Sequence, residues 1–128
     1  MFKHDKKVER LRDIELFAEC TMQELRTIAS VADQVTARAG DVLRDSGRSL
    51  LLVTSGEADG DEGTLRAGDT LGSLAMLGAP TGAREARMKT DGTVLVVGRR
   101  EFQSLIRRAP GFAIAIAKDA ARHMARSA

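Results

Sequence analysis

The chain contains no tryptophan and no tyrosine, and aromatic residues make up 3% of it. Its core is therefore expected to be built from Leu, Val, Ile, Ala and Met. A single cysteine, Cys20, leaves no intramolecular disulfide to form and points to a cytoplasmic setting. The two histidines, His4 and His123, stand near opposite ends without companions, so the residues for a metal centre are missing. That also argues against metal-dependent β-barrel enzymes, which gather several histidines on one ion. No apolar run approaches the roughly 20 residues that span a bilayer. Residues 1–12 are charged throughout, with no apolar signal-peptide region. Neither sign of charge dominates: the net charge is +2, too small to argue for nucleic acid. No Ser/His/Asp or Cys/His arrangement has supporting context, so no enzymatic activity is expected.

What is present is a chain of 128 residues, 43% hydrophobic and 30% charged, which suits one globular domain with a real hydrophobic core. Basic residues are mostly arginine and alanine is abundant, a composition that hints at a GC-rich bacterial genome.

Residues 6–18 carry Val8, Leu11, Ile14, Leu16 and Phe17 at helical spacing. Thr21-Met22-Gln23-Glu24 is a capping box, so a second helix starts at Met22 with Leu25, Ile28, Ala29 and Ala32 on one face. From Val35 the period changes to two. Val35, Ala37 and Ala39 alternate with polar residues, short apolar runs follow at 42–43, 50–53 and 93–97, 64–67 reads as a short strand, and 84–90 alternates again. Gly40-Asp41, Asp45-Ser46-Gly47, Ser55-Gly56 and Gly68-Asp69 divide them, and Asp59-Gly60-Asp61-Glu62-Gly63 reads as a solvated hairpin tip. Helical spacing returns at 100–108. Pro110 then interrupts, and a final helix is expected over 112–125, with Ile116, Ala120 and Met124 on one stripe. The expected layout is helices over about 6–33, antiparallel strands over about 34–98, and helices over about 99–126.

One stretch carries chemistry. Gly68-Asp69-Thr70-Leu71-Gly72-Ser73-Leu74-Ala75-Met76-Leu77 is followed by Pro80 and then by Arg84-Glu85-Ala86. A glycine-bounded turn leads into a short apolar helical turn, and an arginine starts the next strand. Glycines let backbone approach a phosphate, free N–H groups at a helix start point at it, and a guanidinium neutralises it. Two plainer readings stand beside this one: Arg84 as a surface charge on an exposed strand, and Ser73 as a helix N-cap. The pairs Arg99-Arg100 and Arg107-Arg108 read as a solvated face, or as contacts to an acidic partner.

These residues resemble the phosphate-binding cassette of cyclic-nucleotide-binding domains. The resemblance runs through Leu16-Phe17, Glu24-Leu25, Ala39-Gly40-Asp41-Val42-Leu43, Gly47, Ser55-Gly56, Gly68-Asp69, Leu71-Gly72, Glu101-Phe102 and Ala109-Pro110. It implies a mainly β fold: an eight-stranded antiparallel β-roll with N-terminal helices and a C-terminal hinge and helix, as in cyclic-AMP receptor proteins and kinase regulatory subunits. It further implies a ligand site at Leu71, Gly72, Ser73, Leu74, Ala75, Arg84, Glu85 and Ala86, with cyclic AMP or cyclic GMP as the ligand.

This sequence departs from that pattern twice. The family's ribose-binding glutamate is replaced by Ser73, and Glu85 stands beside the arginine, where it would repel a phosphate or pair with Arg84. Two registers are open for the family arginine: Arg84, or, anchored on 94–97, Gly82. The expectation is a stand-alone bacterial regulatory module with weak or lost cyclic-nucleotide binding, acting through protein contacts or self-association of its last helix. The alternatives are a working cyclic-AMP or cyclic-GMP sensor that moves that helix, and a sensor of a different small anion. In the family, DNA is read by a further helix-turn-helix, so with the sequence running to Ala128 no direct DNA binding is expected of this chain.

Overall fold

The computed structural model describes residues 3–45, 47–79 and 84–127, with side chains over 6–125 of those spans. Pro80 and Gly82 lie outside them, and with them the register that would set Gly82 at the arginine position.

The first helical stretch divides in two. Helix α1 (Lys3–Arg12) ends before Ile14, whose backbone is extended, and a 3-10 turn follows at Glu15–Phe17. Leu11, Ile14 and Phe17 are all buried on either side of the break. Helix α2 (Met22–Val31) starts on the expected capping box: the Glu24 N–H donates to Thr21 Oγ1 at 3.1 Å, and the Thr21 N–H donates to Glu24 Oε1 at 2.8 Å.

Among the described residues eight strands follow: β1 (Asp33–Ala37), β2 (Val42–Asp45), β3 (Ser49–Ser55), β4 (Ala58–Gly60), β5 (Gly63–Leu65), β6 (Thr70–Leu71), β7 (Arg84–Met88) and β8 (Gly92–Gly98). They form two four-stranded sheets, in the orders β1-β8-β3-β6 and β2-β7-β4-β5. Every pairing is antiparallel. The short helix α3 (Ser73–Met76) lies between β6 and β7, and helices α4 (Arg99–Arg108) and α5 (Pro110–Ser127) complete the chain.

The two sheets are used differently. In the first, β3 and β8 are buried on both faces. Leu50, Leu52, Leu95 and Val97 pack toward the helices, while Val94 points into the roll. Strands covered on both sides read as continuous apolar runs. In the second sheet only the inner face is apolar, at Ala58, Ala86 and Met88, and Arg44, Glu85 and Arg87 stand outside. Strand β1 departs from expectation: Ala37 is buried, but Val35 and Ala39 are exposed.

The apolar residues fall into two clusters. One joins α1, α2, α4 and α5 to the first sheet; the other fills the roll with Ala37, Ala58, Leu71, Ala86, Met88 and Val94. The aliphatic core expected from composition is corrected in the first cluster. Phe112 stacks on Phe17 with ring centres 6.2 Å apart and meets Phe102 edge-on at 5.7 Å. Met124 is also corrected: Ile116 and Ala120 are buried, but Met124 is 61% exposed.

Candidate functional site

Gly72 has φ +97°, which favours glycine, and a Cβ there would lie 2.8 Å from the Ser49 carbonyl oxygen and 3.2 Å from Asp45 Oδ1. The chain must therefore turn on a bare backbone to enter α3. Gly72, not Ser73, is the N-cap residue of that helix. Ser73 occupies its first turn, 1% exposed, and its Oγ has no hydrogen-bond partner among the described residues. The expected capping role is therefore replaced by burial beneath the last helix. Leu74 and Ala75 are half-buried, and Met76 anchors the turn in the helix-side core. The first N–H groups of such a turn have no intrahelical acceptor.

Arg84 opens β7 opposite Asp45. It shares the inner face with Ala86 and Met88, as the alternation predicts. Its Nη1 donates to Glu62 Oε1 at 2.6 Å, with about a third of each side chain exposed. Glu62 comes from the β4–β5 hairpin tip, so that tip is not merely a solvated turn. Glu85 points to the outer face and accepts from Arg44 Nε at 2.9 Å. The expectation that Glu85 would pair with Arg84 is thus corrected: Glu62 does so. Adjacent residues in a strand face opposite ways, which separates Glu85 from its neighbour.

Beneath the cassette lies a cavity of about 50 Å³, lined among the described residues by Glu62, Leu65, Thr70, Gly72, Arg84 and His123, with others. Sites for small organic ligands measure about 300–1,000 Å³. A larger groove of about 430 Å³ runs on the other side of α5, between that helix, the 3-10 turn and the loop at 67–69.

Sequence reasoning missed the contribution of α5. Thr70 Oγ1 donates to Asp119 Oδ2 at 2.5 Å, and both residues are buried, at 1% and 5% exposure. His123 Nε2 lies 3.6 Å, and Arg122 Nη2 3.8 Å, from the other carboxylate oxygen. Burial pushes the Asp119 carboxyl up, but His123 and Thr70 outweigh it and hold the group below its ordinary value. An aspartate on the apolar stripe of the helix, four residues after Ala115 and three after Ile116, with a histidine one turn further on, is the signal that was available.

At its other end α5 is fixed by Glu24. The Gly111 N–H donates to Glu24 Oε2 at 2.6 Å. Hydrogen bonds from Thr21 and then Gly111 hold the Glu24 carboxyl below its ordinary value.

No protein-family model matches the chain, and no curated protein matches it by sequence. Solved structures do resemble it. PKAR CBD2 bound to Sp-2Cl-cAMPS superposes with a TM-score of 0.77 at 17% identity, covering 98% of this chain and 92% of that one. The regulatory subunit of a cAMP-independent protein kinase A from Trypanosoma brucei gives 0.75 at 16% identity, over 98% of this chain and 52% of that one. cAMP-bound PfPKA-R gives 0.71 at 19% identity, over 81% of this chain and 40% of that one. The chain thus spans about half or less of the last two. With two antiparallel four-stranded sheets and helices flanking the roll, the chain has the fold of the cyclic-nucleotide-binding domains.

Proposed function

We propose that this chain is a regulatory module of the cyclic-nucleotide-binding type in which cyclic-nucleotide binding is weak or lost. The carrying observation is the Arg84–Glu62 ion pair closed over a cavity of about 50 Å³. A phosphate reaching Arg84 must displace a carboxylate already seated there. A ribose hydroxyl finds no acid at Ser73, whose hydroxyl is buried. A hydrogen bond to a charged group contributes about 1.5–3 kcal/mol, so its loss alone removes about one to two decades of affinity. The fold is compatible with loss of cyclic-nucleotide control, since one structural neighbour is described as cAMP-independent.

In this reading the output is a protein contact of α5, either with a partner or with a second copy of the chain. Ile114, Ala117, Ala121 and Met124 are exposed at 3-4-3 spacing, the pattern of a helix–helix seam. A bacterial, cytoplasmic setting belongs to the same proposal and rests on composition and the lone cysteine. No described helix is long and apolar enough to cross a membrane.

A second reading, a working cyclic-AMP or cyclic-GMP sensor, is favoured by one observation: Arg84 points inward while Glu85 does not. A small anion without a ribose hydroxyl would suit the same arginine. Calorimetric titration with cyclic AMP and cyclic GMP to millimolar concentration separates the readings. Absent or millimolar binding supports the proposal; a micromolar Kd abolished by Arg84→Ala overturns it in favour of the sensor.

A further inference from the structure

The net charge of the chain is small, but its charges are unevenly placed. Between residues 92 and 118 the sole acid is Glu101, while Arg99, Arg100, Arg107, Arg108 and Lys118 fall in the same stretch. The four arginines all lie on α4. Phe102 and Leu105 turn its apolar side into the core, and Arg99, Arg100, Gln103, Arg107 and Arg108 are exposed. Seven residues make two helical turns, so Arg100 and Arg107 stand in line on the solvent side, about 10 Å apart along the axis.

These arginines have no carboxylate to meet. Elsewhere Arg44, Arg66 and Arg84 each pair with a glutamate. On α4, Arg99 donates to the Gly47 carbonyl, and Arg108 Nη1 donates to Ser104 Oγ at 3.4 Å. Among the described residues the Arg100 and Arg107 side chains have neither a hydrogen bond nor an ion pair. Glu101 is turned away from them: its carboxylate folds back on Gly98, where a Cβ would lie 2.8 Å from Oε1. Arg99 and Arg100 also occupy the first turn of the helix, where the dipole favours acids over bases. Folding alone thus gains nothing from this placement, and an outside anion would reverse its sign.

We propose that the solvent face of α4 is a docking surface for an acidic segment of a partner protein, one that presents carboxylates about 10 Å apart. The inference adds a second contact surface to the one on α5 and does not depend on whether the cassette holds a nucleotide.

The chemistry of the face selects this occupant. All four charges are guanidinium groups, whose planar forks match carboxylates. A partner helix with glutamates seven residues apart repeats the Arg100–Arg107 spacing. Nucleic acid fits less well: the arginines span one helix of 10 residues, about 15 Å, on a chain of net charge +2, so no long basic stripe follows a phosphate backbone. A lipid surface fits less well too. A helix lying on a membrane inserts its apolar side, and in α4 that side is already buried against the protein.

The test is fluorescence anisotropy with a labelled, alanine-based helical peptide carrying four glutamates at heptad spacing on one face. A second peptide carries the same four glutamates scattered round the helix. The wild-type chain is compared with Arg100→Gln, Arg107→Gln, the double variant and Arg38→Gln, an exposed arginine of the β1–β2 turn; circular dichroism checks that each is folded. At low salt the one-face peptide is expected to bind with a Kd below about 1 mM. Each α4 substitution should weaken it by about threefold and the double by about tenfold, the range for exposed ion pairs, while Arg38→Gln leaves it unchanged. Raising the salt should weaken binding to the wild type and leave little difference between it and the double variant. Absence of binding, an equal loss in Arg38→Gln, or equal binding of the scattered peptide overturns the proposal. So does tighter binding, lost in the double variant, of a short DNA duplex or of phosphatidylserine vesicles, which would assign the face to nucleic acid or to a lipid surface.

Discussion

Gly111→Ala is expected to destabilise the protein in its natural background and to stabilise it once Glu24 is gone. Gly111 lies in the first turn of α5, and its backbone does not require glycine: among the glycines with positive φ it does not appear. Alanine in a helix is favoured over glycine by about 0.5–1 kcal/mol. The nearest obstacle is Glu24, whose carboxylate oxygens would lie 2.7 and 3.0 Å from the new Cβ. A flexible side chain can retreat from that contact, but in doing so it releases the Gly111 N–H, held at 2.6 Å, and loosens the capping box at Thr21. A hydrogen bond to a charged acceptor contributes about 1.5–3 kcal/mol, and solvent beside Glu24 places this one at the lower end. The net cost is then about 0.5–1.5 kcal/mol. In a Glu24→Ala background the obstacle and the bond are both absent, and the same substitution should add about 0.5–1 kcal/mol. Urea denaturation of the four proteins measures the cycle. If Gly111→Ala has the same sign in both backgrounds, Glu24 is not what holds the start of α5.

Other substitutions separate the two glutamates near Arg84. Glu62→Gln should strengthen binding of cyclic AMP or a simple phosphate anion by about tenfold, because it frees the guanidinium, whereas Glu85→Ala should leave binding unchanged and alter stability by less than about 1 kcal/mol; calorimetry with both variants checks this. Burial, with Glu24 and then Glu19 adding to it, pushes the Cys20 thiol up to about 11. Alkylation of Cys20 by iodoacetamide at pH 8 should therefore run about two orders of magnitude slower than for a free thiol. Asp119 and Glu24 both have carboxyls held below their ordinary values. Their stabilisation is fully present above the unfolded-state pKa, near 4, and is lost as pH falls through the lower folded-state values. Asp119→Asn should accordingly flatten the acid limb of a thermal-stability profile measured from pH 6 to pH 2.

The architecture was legible because its signals are local. Glycines and aspartates punctuate the strands, the Thr21–Glu24 box marks a helix start, and Pro110 marks the break between the last two helices, although the final helix begins at Pro110 itself and not at the expected residue 112. The site was legible only along the strand. Alternation set Arg84, Ala86 and Met88 on one face, and the same alternation, applied one residue on, would have sent Glu85 outward. What joined Arg84 to Glu62 is the β4–β7 pairing, which brings a hairpin tip 22 residues away to the same end of the sheet. Asp119 and Thr70 are 49 residues apart, and no periodicity in either segment announces their meeting. Val35 illustrates the opposite error: it keeps the strand alternation but lies on an edge strand whose outer side is open to solvent.

The apolar interior is divided, and the division has a consequence for how such a protein can change. The larger cluster ties the helices to one sheet with leucine, isoleucine and phenylalanine, and most of the buried apolar surface lies there. The roll itself is filled mainly with alanine, methionine and a few branched residues. Substitutions within the roll therefore alter what it can hold while leaving the main source of folding energy intact. A scaffold built this way can exchange one ligand for another, or give up ligands altogether, and still fold.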